Sequence, residues 1–216
     1  MRFISATQTK QKLCFAADLA RKTTAGKTIA AVAVILIVNC LVPSLEAKDI
    51  IRDKSPDGKF ALRISKDEQG GSAAIIDLKS KDEVVTLEVY QNNTEEAHLV
   101  WSKDSQRVAY FEPDRRGGST TVYFRNGSKF EEVTLPDIPE CKNPSKEGET
   151  HVKTVETTIS PQKWLSSDTL VLRVNLADLM EKGGKQWART CAQIVTVVFD
   201  SSHKASIQSA KQVKSD

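Results

Sequence analysis

The sequence predicts an all-β fold, a propeller-like stack of about three four-stranded antiparallel meanders following an N-terminal hydrophobic leader helix. Three observations predict it. Gly70-Gly71-Ser72 recurs as Gly117-Gly118-Ser119, 47 positions later. The flanks of the two copies align without a gap from Ser55 onward, Ser55-Pro56-Asp57-Gly58-Lys59 lying over Ser102-Lys103-Asp104-Ser105-Gln106 and Asp67 over Asp114. Ala74-Ile75-Ile76 then lies over Thr121-Val122-Tyr123 and, after one inserted residue, Val85-Thr86-Leu87 over Val133-Thr134-Leu135, so the runs between turns are short and alternating. A period of roughly 40 to 50 residues built from such runs is the size of one propeller blade.

Residues 1–47 read as a leader. Arg2, Lys10, Lys12, Arg21, Lys22 and Lys27 precede an uncharged run from Ile29 to Val42, Pro43 ends it, and Leu45-Glu46-Ala47 offers a small residue for a signal peptidase. The run is short for a bilayer span, which favours a cleaved signal peptide; the alternative is an N-terminal anchor over residues 24–43. Both place residues 48–216 outside the cytoplasm, periplasmic or secreted, with the membrane engaged only through the leader.

The first unit covers residues 49–90. Asp49 to Arg52 and Phe60 to Ile64 flank Ser55-Pro56-Asp57-Gly58, where proline presets φ and glycine accepts the positive φ of a tight turn. Ser72 to Leu78 and Val84 to Val89 complete four strands. The second unit, residues 98–136, repeats the order with His98 to Trp101, Arg107 to Phe111, Thr120 to Arg125 and Phe130 to Leu135, the last two joined by the hairpin dipeptide Asn126-Gly127. Pro136 to Thr150 is a polar loop. The third unit, residues 151–210, is less regular: Thr154 to Ile159, Leu170 to Val174, Cys191 to Phe199 and Ala205 to Ala210, with Trp164 and Asp168 echoing Trp101 and Asp104 at a spacing one residue longer. Between its middle strands, Asn175 to Thr190 reads as an insertion in which Leu176 to Lys182 favours a short helix ending at Gly183-Gly184.

Of 31 basic and 28 acidic residues, six and two belong to the leader, leaving 25 and 26 and a formal charge of −1. The high pI is a property of the leader, so no nucleic-acid partner is expected. Outside the leader, which holds Cys14 and Cys40, the cysteines are Cys141 and Cys191, an even pair that points to a disulfide in an oxidising compartment, with two buried thiols as the alternative. His98, His151 and His203 are scattered and neither cysteine sits in a Cys-x-x-Cys unit, so neither a metal nor a cofactor is expected.

At Ser55-Pro56-Asp57-Gly58-Lys59-Phe60-Ala61 and at Trp101-Ser102-Lys103-Asp104-Ser105-Gln106-Arg107-Val108-Ala109 the chain resembles the WD-repeat-like β-propeller repeats of the TolB type. The resemblance is good over residues 49–135 and weak over 151–210, and it implies a binding scaffold outside the cytoplasm rather than a chemistry. Three units are fewer than the roughly four to eight blades of a closed ring. An open stack, a sandwich-like curl and completion by a second copy are the consequences available, and exposed terminal strands favour a protein partner or self-association.

No constellation of residues spells a reaction. Gly26-Lys27-Thr28 lacks the first glycine of a phosphate loop, and Ser160-Pro161-Gln162-Lys163 has the spacing of a Ser-x-x-Lys nucleophile but follows a β run. The candidate binding residues are Asp67 and Glu68, with Asp114, Arg115 and Arg116 in the equivalent loop of the next unit, and Trp187 in the insertion. The expectation is a non-enzymatic interaction module. Its rivals are a hydrolase or lyase pairing Asp67, Glu68 and Asp114 as carboxylates, and a purely structural, self-associating envelope protein.

Overall fold

The computed structural model describes residues 49–67, 70–90 and 93–215. The leader, its two cysteines and Glu68 lie outside the described residues. The strands fall into three groups: β1 (Ile50–Arg52), β2 (Phe60–Asp67), β3 (Gly70–Asp77) and β4 (Glu83–Leu87); β5 (His98–Trp101), β6 (Arg107–Asp114), β7 (Gly117–Asn126) and β8 (Lys129–Val133); β9 (Thr150–Ser166), β10 (Thr169–Lys182), β11 (Lys185–Phe199) and β12 (Ala205–Val213). Each group is an antiparallel meander. The first is a sheet of its own, and the other two share one ladder in the order β12-β11-β10-β9-β7-β6-β5, with β8 beside β7. The join is a short parallel contact, Gly117 against Thr157 and Gly118 against Thr158.

Alternation explains how the meanders stack. Val108 and Tyr110 point toward the first meander, where they meet Phe60, Leu62, Ile64 and Ile75 in one core. Ala109, with Val122 and Phe124, points the other way, onto Leu170, Leu172, Val195, Val197 and Phe199 of the third meander. The middle sheet is therefore buried on both faces, which is why its strands read as nearly continuous apolar runs. The three meanders form an open stack, and no closed ring is present among the described residues.

The glycine-pair corners take the same place in their sheets. Asp67 pairs with Gly70 where β2 turns into β3, and Asp114 pairs with Gly117 where β6 turns into β7.

The helix expected over Leu176 to Lys182 is corrected by the ladder. Those residues continue β10, which pairs with β11 from Thr169 opposite Val198 to Lys182 opposite Lys185. Leu, Ala, Met, Glu and Lys favour a helix locally, but burial falls on every second residue, at Val174, Leu176, Asp178 and Met180, and a two-residue period fits only a strand. Gly183 and Gly184, at φ 58° and 76°, form the hairpin turn rather than a helix cap. The supposed insertion is thus the far half of a long hairpin, overhanging the middle sheet by about 20 Å at roughly 3.3 Å per residue.

Asp178 and Met180 on that overhang, with Leu176 and Cys191 at its base, are all buried. The loop over residues 136–149 packs on this region. Cys141 and Cys191 are joined as a disulfide across 50 residues, and both pack with Leu176.

Candidate functional site

One end of the stack carries the turns joining the first and second strands of each meander. In the first turn the Ser55 hydroxyl donates to Asp57 Oδ1 at 2.7 Å and accepts from the Phe60 amide at 3.0 Å. In the second, the Ser102 hydroxyl donates to Asp104 Oδ1 at 2.6 Å and accepts from the Arg107 amide at 2.9 Å. In the third, the Ser166 hydroxyl donates to Asp168 Oδ1 at 2.6 Å. The Ser-x-Asp unit therefore closes every one of these corners by local side-chain bonds, the mechanism that makes serine and aspartate turn residues.

The same residues lock the corners to one another. The Ser105 hydroxyl accepts from the Asp57 amide at 2.9 Å, and Arg125 pairs with Asp57 Oδ2 at 3.2 Å. Burial alone would raise the Asp104 carboxyl, but bonds from the Ser102 hydroxyl, the Gln106 amide and the Ser167 hydroxyl, with the charge of Arg107, hold it below its ordinary range. Arg107 also donates to the Ser167 carbonyl and lies 4.6 Å over the Phe124 ring. Trp101 and Trp164 each donate their indole N–H to the meander before, at Asp53 and Val100.

The third corner departs from this pattern by one residue. Trp101 is followed directly by Ser102, whereas Leu165 stands between Trp164 and Ser166. The register shows the consequence: Ser166 faces Thr169, Trp164 faces Leu170, and Leu165 is bulged out of the ladder. It is 60% exposed, the most exposed large apolar side chain among the described residues. Leu165, Trp164, Lys103, Asp104, Ser166 and Ser167 line an open cleft of about 520 Å³. The signal was in the sequence as the longer Trp-to-Asp spacing, but it pointed to a bulge only once the register was known.

At the other end, Asp114, Arg115 and Arg116 are exposed in the corner between β6 and β7. The carboxylate of Asp114 accepts from the Arg116 amide at 2.7 Å and so closes its own turn. The Arg116 carbonyl accepts from the Thr157 amide at 3.2 Å, which docks this corner on β9. Asp67 occupies the equivalent position in the first meander. Trp187 is half-buried on β11, opposite Met180, and belongs to the overhanging hairpin rather than to either corner.

Beneath the disulfide-pinned loop lies a polar knot. Buried Asp178 accepts from Asn143 Nδ2 at 3.1 Å and Thr154 Oγ1 at 2.9 Å, and its Oδ1 lies 3.0 Å from His151 Nε2. Burial pushes its carboxyl up, and the bonds from Asn143, Thr154 and His151 more than offset that, leaving it below its ordinary value. Arg189 pairs with Glu149 at 2.7 Å and donates to the Pro144 carbonyl at 2.9 Å. These groups hold the loop down. Among the described residues no His, Cys, Asp and Glu cluster could hold a metal ion, and no helix is long and apolar enough to cross a membrane.

No protein-family model and no curated protein matches the chain. Among solved structures, TolB from Acinetobacter baumannii is similar at 10% identity and a TM-score of 0.30, over 76% of this chain and 41% of that one. The chain thus spans less than half the length of that structure.

Proposed function

We propose that the chain is an exported, non-enzymatic protein-interaction module that docks a partner at the cleft beside Leu165. The observation that carries this reading is the single residue added to an otherwise repeated corner. The first two corners expose no large apolar side chain, while the third puts a leucine into solvent beside Trp164 and a cleft of about 520 Å³. An exposed apolar side chain next to a half-buried aromatic, rimmed by Lys103 and Asp104, has the make-up of a small interface centre with a polar rim. A location outside the cytoplasm is consistent with the Cys141–Cys191 disulfide.

The test compares the wild-type chain with Leu165→Asp in cross-linked capture from envelope extract. Leu165 is exposed and bulged, so the variant keeps its melting temperature. Species lost from the variant alone support the reading. Identical captures from both proteins, or nothing recovered by either, overturn it.

A further inference from the structure

A second cavity lies far from Leu165, where the pinned loop meets the inner face of the third meander, and it stands independently of the docking proposal. Its volume is about 240 Å³, room for about eight water-sized heavy atoms at roughly 30 Å³ each. Ile159, Val174 and Leu176 from β9 and β10 form its apolar floor, Ile138 of the loop its outer wall, and Glu140 and Thr157 give it a polar side. Glu140 is exposed to solvent, and its carboxylate has no hydrogen-bond or ion-pair partner among the described residues. On the loop side, the Cys141–Cys191 bond and a hydrogen bond from Gln193 to the Pro139 carbonyl fix the wall in place.

An apolar slot with one unpaired carboxylate fits an apolar stem ending in a cation, because the stem gains from leaving water and the head neutralises the acid. A carboxylate-headed ligand of equal length would meet Glu140 with like charge. We infer that this slot binds a primary ammonium on a short alkyl stem, the chemistry shared by a free alkylamine and a lysine side chain of a partner.

The test titrates the full-length chain at pH 7 with n-hexylammonium, n-hexanoate and Nα-acetyl-lysine methylamide, following the methyl resonances of Ile159, Val174 and Leu176. Hexylammonium is expected to move them saturably, about fivefold more tightly than hexanoate, as a partly exposed ion pair of about 1 kcal/mol gives. Glu140→Gln removes that preference, and reduction of the disulfide weakens binding of hexylammonium by freeing the wall. If the lysine derivative saturates the same resonances, the source is a protein side chain; if hexylammonium alone does, it is a free amine. Equal binding of hexanoate, linear unsaturated shifts, or a Glu140→Gln variant that keeps the preference overturns the assignment.

Discussion

The indole nitrogen of Trp164 donates to the carbonyl oxygen of Val100 at 3.0 Å, and Trp101 makes the same bond to Asp53 at 2.7 Å. Asp53 and Val100 are 47 residues apart, the spacing of the sequence repeat, so the repeat is written into the joints between meanders and not only into each meander. Each tryptophan stands just before a Ser-x-Asp corner and reaches back into the preceding unit. In the first meander the equivalent position is Lys54, which has no indole to donate.

Replacing Trp164 by Phe keeps most of the ring packing against Phe199, 5.7 Å away between centroids, but leaves the Val100 carbonyl without its donor. The expected loss is about 1 kcal/mol of unfolding free energy, and Trp101→Phe is expected to cost a similar amount. Urea titration of the two single variants checks this. Unchanged midpoints for both would show that the indole bonds do not hold the joints.

Gly117 is where the second meander meets the third. Its φ is 129°, and a Cβ there would lie 1.9 Å from the Thr157 carbonyl oxygen, a backbone atom that cannot turn aside. Gly117→Ala must therefore break the parallel contact with β9 and is expected to cost more than about 3 kcal/mol. Gly58→Ala, at φ 68° with open space around it, is expected to cost only about 1 to 2 kcal/mol of left-handed strain. Thermal unfolding of the pair separates the collision from the strain.

The corners were legible in the sequence because their chemistry is local. Ser55, Asp57, Ser102 and Asp104 bond within a few residues, so the same letters make the same turn wherever they stand. The long hairpin was not legible, because Leu176 to Lys182 prefers a helix by composition and becomes a strand only through pairing with β9 and β11 on its two sides. Leu165 and the slot under the loop were hidden for a related reason. A bulge is defined by the residue across the ladder, and the slot by a loop whose position depends on a bond between residues 50 apart.

The Cys141–Cys191 bond closes a long segment, and in the chain-entropy account such a loop is worth about 4 kcal/mol. Because Leu176 packs directly on both cysteines, its removal should first loosen the covering loop. Cys141→Ser with Cys191→Ser is expected to lower the denaturation midpoint and to raise amide exchange over residues 136–149 before the cores of the stack respond. Hydrogen exchange read by mass spectrometry checks the order. Uniform exchange across all three meanders would contradict it.

Asp178 sets the acid limit of the same region. Its folded carboxyl titrates below the ordinary value of 3.8, because the bonds from Asn143, Thr154 and His151 outweigh the cost of burial. A carboxyl depressed in the folded state contributes stability that is fully present above its unfolded value and is lost as pH falls through its folded value. Asp57 and Asp104 are depressed as well, so the wild-type chain loses stability in acid at several places at once. The comparison with Asp178→Asn isolates the one group. The amide keeps a single acceptor for three donors, so the variant is expected to be less stable by about 1 to 3 kcal/mol at pH 7. That difference should shrink below about pH 4, where the wild-type carboxylate takes up its proton. Denaturant titrations of both proteins from pH 7 to pH 3 measure it, and a gap that stays constant to pH 3 would show that the carboxylate charge does not hold the loop.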